Sequence, residues 1–140
     1  MTQITELNTI LKNWKYINGQ IPDKGNKYVS VDSSGNITSI QLPDQNLDGN
    51  IKDLNKGNFP KLNTLLLENN SKIKGDISTI PTELTKLYNL VLSQTSISGD
   101  ISTIPTQLTK IGILGLLDTS VSGDISTIPT ELTKLYNLVL

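Results

Sequence analysis

Residues 84–107 read LTKLYNLVLSQTSISGDISTIPTQ, and residues 108–131 repeat the pattern as LTKIGILGLLDTSVSGDISTIPTE. The period is 24 residues, the distance from Gly99 to Gly123 (123 − 99). In addition, the stretch GDISTIPTELTKLYNLVL at residues 75–92 recurs letter for letter at residues 123–140. Self-similarity at a fixed period of this length is typical of repeat architectures, so the repeat is the feature that decides the fold.

Two earlier segments of the chain keep the same pattern. Residues 60–83, PKLNTLLLENNSKIKGDISTIPTE, form a unit with one extra residue in the turn after Leu67. Residues 37–51, ITSIQLPDQNLDGNI, keep the apolar and glycine positions of that unit. We therefore predict a repeat array over residues 37–140, with an incomplete last repeat, and an N-terminal cap over residues 1–36.

Each repeat predicts a strand, a turn and a return segment. The alternation of Leu90 and Leu92 with outward-facing residues predicts a short strand whose leucines face inward. Gly99 is expected to provide the turn. The prolines of the return segments have a fixed φ and no donor, which suits the first position of a short helix or 3₁₀ turn; they are Pro81, Pro105 and Pro129. Because one unit cannot bury its own leucines, the units are expected to stack into one parallel sheet.

The cap is predicted to contain a helix and a β-hairpin. Apolar residues recur at helical spacing at Ile4, Leu7, Leu11, Trp14 and Ile17. Thr2 is a candidate N-cap, and Asn18-Gly19 supplies a stop. Residues 27–42, KYVSVDSSGNITSIQL, read as two strands around a turn, and the second strand is the first rung of the array. Trp14 is interpreted as sealing the cap rather than recognising a ligand.

The skeleton LxxLxLxxxxIxGxI resembles the leucine-rich repeat, specifically its plant-type subclass. It is carried, for example, by Leu87, Leu90, Leu92, Ile97, Gly99 and Ile101. The resemblance covers roughly residues 37 to 140. It implies an α/β fold: a leucine-rich repeat solenoid with a parallel sheet on the concave side, short helical or 3₁₀ segments on the convex side, and an N-terminal helix plus β-hairpin cap.

In two places the chain departs from the family pattern. The family's asparagine after the strand is present only as Asn70, with Gln45, Thr95 and Thr119 at the matching positions. Family members use this asparagine to satisfy backbone groups in the turn, whereas threonine supplies a weaker local bond. Val31 stands where the family's cap has a cysteine, so the cap is predicted to be apolar instead of disulfide-bonded.

The composition argues against catalysis. The chain has no cysteine and no histidine, so it lacks thiolate nucleophiles, Ser-His-Asp arrangements and the commonest metal ligands. No phosphate-binding loop or zinc motif occurs. A formal net charge of −1 supplies no field that would recruit nucleic acid. We therefore predict that the protein is not an enzyme, needs no cofactor or metal, and has no nucleic-acid partner.

Asp76, Asp100 and Asp124 follow the glycine of three successive repeats. Stacking would place their carboxylates about one rung apart, near 4.8 Å. One interpretation is a calcium-binding column. The other, which we favour, is that each is an exposed turn residue bonded to nearby backbone amides.

The two ends of the chain carry different signals. The N-terminus lacks a basic segment followed by an apolar core, and no apolar run approaches the roughly 18 residues of a membrane span. This predicts no membrane insertion and a protein that is cytoplasmic or carried within a larger assembly. At the other end, Leu135, Leu138 and Leu140 would leave an unpaired parallel edge. We expect another chain to cover that edge, or the array to be truncated there.

The resemblance implies that side chains between the strand leucines project from the concave face and contact partners. The candidate contact residues in phase with this pattern are Gln41, Leu66, Glu68, Asn89, Val91, Ser93, Ile113, Leu117 and Val139, and Tyr88 beside the strand is added to them. Apolar residues in such a row are typical of a binding patch. The alternative is that β-branched and apolar residues are there because they favour strands. The predicted function is a noncatalytic protein-binding module. The alternative is a structural or docking component of a larger assembly, such as a virion or surface layer, that packs laterally or through its C-terminal end.

Overall fold

The computed structural model describes residues 2–140 as one helix followed by ten strands. The helix is α1 (Gln3–Asn13), and the strands are β1 (Val29–Val31), β2 (Ile37–Gln41), β3 (Asp48–Asn50), β4 (Thr64–Leu66), β5 (Lys72–Asp76), β6 (Asn89–Val91), β7 (Ser96–Asp100), β8 (Ile113–Gly115), β9 (Ser120–Ser122) and β10 (Asn137–Val139). Further 3₁₀ helices span Ile51–Lys56, Ile77–Thr79, Ile101–Thr103 and Ile125–Thr127. The predicted mixed α/β architecture with parallel sheets is confirmed.

The cap helix begins where its capping residue predicts. Oγ1 of Thr2 accepts a hydrogen bond from the backbone N–H of Thr5 at 3.1 Å. Trp14, directly after α1, is 1% exposed, which agrees with its predicted role in sealing the cap. The predicted place of Ile17 on the same apolar face is wrong, since Ile17 is 84% exposed. The helical spacing ends because Lys15 adopts a φ of 61° and turns the chain away.

Six strands form the first sheet, in the order β1-β2-β4-β6-β8-β10. β1 and β2 are antiparallel, as expected for the hairpin, and every later pair is parallel. Each repeat therefore contributes one strand beside that of the preceding repeat. The inward residues Leu65, Leu90 and Leu114 are each 0% exposed, as the alternation predicts.

A second parallel sheet, which the repeat pattern did not reveal, has the order β3-β5-β7-β9. We expected only a turn around Gly99. Instead, Ile97 is buried while Ser96 and Ser98 lie on the other side, so this segment has the period-two pattern of a strand. A single inward apolar residue in each repeat is too weak a signal to identify such a strand. The isoleucines of this sheet and the leucines of the first share one continuous core.

The 3₁₀ helices begin after an aspartate or asparagine cap and end before the prolines. Oδ1 of Asp76 accepts a hydrogen bond from the backbone N–H of Ser78 at 2.9 Å, and the equivalent aspartates do the same. The prolines therefore do not start these helices; of the two predicted alternatives, a short helix or a 3₁₀ turn, they begin a turn. Pro81 lies beyond the helix Ile77–Thr79 and begins the next turn, where its carbonyl accepts the N–H of Leu84 at 3.3 Å. The aspartate starts the helix because its side chain supplies the acceptor that the first free N–H groups need.

No helix among residues 2–140 is both long and apolar enough to cross a membrane.

The position three residues after each of four strands adopts a left-handed backbone conformation. These residues are Asp44 (φ 56°), Asn69 (φ 60°), Gln94 (φ 58°) and Asp118 (φ 56°). Asn and Asp tolerate this region through local side-chain hydrogen bonds, whereas glutamine lacks that compensation.

Gln94→Gly is therefore expected to stabilise the protein. The left-handed strain of about 1–2 kcal/mol exceeds the backbone entropy that glycine adds to the unfolded chain, about 0.5–1 kcal/mol, so the free energy of unfolding should rise by roughly 0.5–1 kcal/mol. Urea denaturation measures the change. The matched control is Gln107→Gly, an exposed position without positive φ, which should lose stability. A loss in both variants would contradict the strain at Gln94.

Candidate functional site

The predicted contact residues lie together on the outward side of the six-stranded sheet. Strand pairing places Ser39, Thr64, Asn89, Ile113 and Asn137 in one row, and Gln41, Leu66, Val91, Gly115 and Val139 in the next. Backbone hydrogen bonds beyond the strand ends continue a third row of Pro43, Glu68, Ser93 and Leu117. We call the outward side of these three rows, together with Tyr88 directly before β6, the sheet face.

Five apolar side chains of the sheet face form what we call the apolar strip: Leu66, Val91, Ile113, Leu117 and Val139. Leu117 is 42% exposed and Val139 is 40% exposed, while the other three are half-buried. The core does not need them, because the inward leucines of the same strands already fill it. The strip therefore leaves apolar surface in water along several neighbouring strands.

Tyr88 and Tyr136 lie two repeats apart but contact each other. Their hydroxyl oxygens are 2.5 Å apart and their ring centroids are separated by 6.3 Å. The repeat between them has Gly112, where a Cβ would lie only 2.6 Å from the Tyr88 ring and 2.9 Å from the Tyr136 ring. The glycine thus leaves the space in which the two rings meet. The contact between Tyr88 and Tyr136 was missed in the sequence, where the signal was tyrosine, glycine and tyrosine at intervals of one repeat.

Glu68 is the one charged residue in the three rows of the sheet face. It is half-buried, and within residues 2–140 its carboxylate joins no ion pair and accepts no hydrogen bond from another residue. Burial raises the pKa of Glu68 above its usual value, and the carboxylate of Asp44 raises it further. Because the folded state disfavours the ionised form, this charge lowers stability at a pH above that pKa. The fold therefore gains nothing from the Glu68 charge.

Asn89 carries a second polar group that the fold leaves unpaired. It lies in the first row between Thr64 and Ile113, and its Oδ1 is buried without a hydrogen-bond partner in the described chain. A buried acceptor left in this state costs about 1–3 kcal/mol. Among the described residues, the sheet face thus carries one buried acceptor without a partner, at Asn89, and one charge without an ion pair, at Glu68.

Asp76, Asp100 and Asp124 lie away from the sheet face. Asp76 and Asp100 are the last residues of β5 and β7 in the second sheet, and Asp124 lies two positions after β9. Each carboxylate is exposed and accepts a hydrogen bond from the serine N–H two positions on, which agrees with the turn-residue interpretation. These hydrogen bonds lower the pKa of all three aspartates. In the part of the chain that the structure describes, no group of three or more acidic, histidine or cysteine side chains is placed to hold a metal ion.

Acid is expected to destabilise the protein through these caps. The pKa of each aspartate is lower in the folded protein than its unfolded value of about 3.9, so the stabilisation is present above that value. It is lost as the pH falls through the folded-state pKa. The melting temperature should therefore fall below about pH 4.

The triple variant Asp76→Asn, Asp100→Asn, Asp124→Asn is the control for the pH dependence. Asparagine is an equally good N-cap but does not titrate. Calorimetric melting temperatures of this variant should fall less steeply below about pH 4 than those of the wild type. Parallel curves for the two proteins would rule out a contribution from the caps.

A groove of about 500 Å³ lies in the cap, outside the sheet face. It is lined by Thr5, Asn8, Thr9, Lys12, Gln20, Ile21, Pro22 and Asp23. The amide of Asn8 is already bonded to both backbone groups of Ile21, at 2.8 and 3.0 Å. The side chain of Asn8 therefore holds the cap together.

Comparison with protein-family models and with curated proteins finds no match. Among solved structures, the chain is similar to a plant ice-binding protein, with a TM-score of 0.71 and 30% identity over 97% of this chain and 44% of the other. It is also similar to the BIR3–SERK2 complex from Arabidopsis thaliana, with a TM-score of 0.59 and 27% identity over 95% of this chain and 70% of the other. A pollen receptor kinase 3 shares the fold, with a TM-score of 0.53 and 18% identity over 89% and 76% of the two chains.

These likenesses and the parallel strands of successive repeats define a leucine-rich-repeat type of fold. The chain spans less than half the length of the ice-binding protein that it resembles, since it covers 44% of that chain.

Proposed function

We propose that the chain is a noncatalytic protein-binding module that contacts its partner through the sheet face. The observation that carries this proposal is the apolar strip, whose side chains Leu66, Val91 and Ile113 are only half-buried on three neighbouring strands. A partner that covers the strip removes apolar surface from water, which is favourable. It also desolvates few charges, because Glu68 is the one charged residue in the rows. The likeness to a structure of the BIR3–SERK2 complex supports the assignment by analogy.

The test compares two triple variants with the wild type. The strip variant combines Leu66→Ala, Val91→Ala and Leu117→Ala, and the matched control combines Lys72→Ala, Lys74→Ala and Ser122→Ala on exposed positions of the four-stranded sheet. Each protein captures partners from an extract of its native source, and quantitative mass spectrometry identifies them.

We expect the strip variant to capture at least tenfold less of a partner that the wild type and the control both retain. Truncating a binding hot spot costs more than about 1 kcal/mol, and 1.4 kcal/mol corresponds to a factor of ten. Circular dichroism first verifies that both variants are folded. Equal capture by the strip variant and the control would overturn the assignment of the sheet face.

Binding to ice is a second candidate function, favoured by a different surface. The return segments carry exposed hydroxyl groups in columns that repeat every 24 residues (102 − 78): Ser78, Ser102 and Ser126; Thr82, Thr106 and Thr130; Thr85, Thr109 and Thr133. Stacked rungs place equivalent groups about 4.8 Å apart. The columns therefore present a regular array of hydroxyl groups to the regular lattice of ice. The likeness to a plant ice-binding protein supports this candidate.

An ice-recrystallisation assay separates the two candidates. If the columns bind ice, the wild type slows crystal growth, the variant Thr82→Lys, Thr106→Lys, Thr130→Lys does not, and the strip variant still does. A wild type that leaves crystal growth unchanged would remove ice binding as a candidate.

A further inference from the structure

The charges around the sheet face are sorted along its strands. Lysines occupy the position three residues before four strands of the six-stranded sheet, β4, β6, β8 and β10. They are Lys61, Lys86, Lys110 and Lys134, and all four are exposed. Acidic residues follow the carboxyl ends of three strands, namely Asp44, Glu68 and Asp118. The apolar strip lies between these two edges. A partner that covers the strip therefore meets positive charge at one edge and negative charge at the other.

Glu68 is the acidic residue that lies on the sheet face itself. It follows Leu66 of the apolar strip by two positions, so both side chains lie on the same side of the extended chain. Its row continues through Ser93 to Leu117, so one rung separates Glu68 from Leu117. Any segment that covers Leu66 and Leu117 also approaches this carboxylate.

The carboxylates of Asp44 and Glu68 differ in their hydrogen bonding. Asp44 accepts a hydrogen bond from Nδ2 of Asn69, whereas Glu68 lacks any such bond from another residue within residues 2–140. The ion pairs of the described residues, Lys15 with Asp48 and Lys56 with Asp53, lie elsewhere. The carboxylate of Glu68 keeps contact with water in the free protein, since Oδ1 of Asn89 is the buried side-chain atom that lacks a partner among the described residues. Covering the strip would remove Glu68 further from water and would increase the cost unless the partner supplies the missing cation.

We propose that the segment that binds the sheet face carries a lysine or arginine beside its apolar side chains, and that this cation pairs with Glu68 and Asp44. The inference rests on the proposed protein-binding function and adds the chemistry of the partner. An arginine fits the site best, because its planar guanidinium donates to two carboxylate oxygens at once. The sorted edge charges also orient the partner, with its cationic end towards the carboxyl ends of the strands.

The probe is a random-sequence peptide library displayed on phage and selected on the immobilised full chain. Enriched peptides are synthesised, and their affinities are measured by fluorescence anisotropy. We expect them to combine apolar residues with a neighbouring lysine or arginine. Enrichment of apolar peptides without a cation would overturn the inference.

The variant Glu68→Gln removes the charge and keeps the shape of the side chain. It should bind the enriched peptides about tenfold more weakly than the wild type, and the difference should shrink as salt is added. Glu131→Gln makes the same change of charge at an exposed position of a return segment and should bind within about twofold of the wild type. Because the fold gains nothing from the Glu68 charge, the melting temperature of Glu68→Gln should not fall.

Two outcomes distinguish this inference from the function on which it rests. If the strip variant loses the peptides while Glu68→Gln binds them like the wild type, the cation is wrong and the binding face stands. If the strip variant binds them as well as the wild type, both the face and the cation are wrong.

Discussion

Replacing Asn70 with alanine is expected to lower the free energy of unfolding by about 3 kcal/mol or more. The side chain of Asn70 is 0% exposed and joins two repeats. Its Oδ1 accepts the N–H groups of Gln45 and Leu47, each at 3.0 Å, and its Nδ2 donates to the carbonyls of Leu42 and Leu67, each at 2.9 Å. Alanine would leave these backbone groups without partners, and a buried group in that state costs about 1–3 kcal/mol.

Thr95→Ala is the matched control, because Thr95 occupies the same position in the next repeat. Its Oγ1 donates to the carbonyl of Leu92 at 2.6 Å and accepts the N–H of Ile97 at 3.4 Å, and both partners belong to its own repeat. Its loss should cost only about 1 kcal/mol. Urea denaturation of the two variants measures the difference. Equal losses would contradict the role of Asn70 as the link between repeats.

Gly49→Ala is expected to lower the free energy of unfolding by about 3 kcal/mol, at the upper end of the usual cost of overpacking. A Cβ on Gly49 would lie 2.0 Å from Cδ1 of Trp14 and 2.3 Å from its Nε1. The indole is 1% exposed, and its Nε1 donates to Oδ2 of Asp53 at 3.0 Å. It therefore cannot move aside without losing both its packing and this hydrogen bond. The glycine allows the cap to sit directly on the first rung of the array.

A double-mutant cycle tests whether Trp14 is the cause. Trp14→Ala alone should cost about 3–5 kcal/mol, because it leaves a large cavity. In that background, Gly49→Ala should cost much less than in the wild type, with a coupling energy of about 2 kcal/mol. Circular dichroism is the probe, since Trp14 is the only tryptophan of the chain. An unchanged cost of Gly49→Ala would show that its effect does not come from the indole.

The rows of the sheet face were predictable from the sequence, because stacking places equivalent residues of successive repeats side by side. Leu66, Val91 and Val139 meet in one row, as their positions in the repeat predict. Whether these residues contact a partner remains a prediction. The helix cap at Thr2 was predictable for a local reason, since a capping side chain bonds to backbone groups only a few residues away.

The second sheet and the unpaired groups were not predictable in this way. Ile97 is the only inward apolar side chain of its strand, so its alternation with serines resembles a turn until β5 and β9 pair with β7. The missing partner of Glu68 and the contact between Tyr88 and Tyr136 depend on side chains from other repeats. Neither can be read from a single unit.

The sequence by itself determined the repeat period, the inward leucines, the cap helix and the rows of the outward face, because each depends on local spacing or on exact repetition. The tertiary structure decided what crosses from one repeat to the next. Asn70 differs from Thr95 because its longer amide reaches the backbone of the preceding repeat. Gly49 needs to be glycine because Trp14 reaches it from the cap, 35 positions away in the chain (49 − 14). Such contacts depend on the distance between stacked units, which no residue encodes alone.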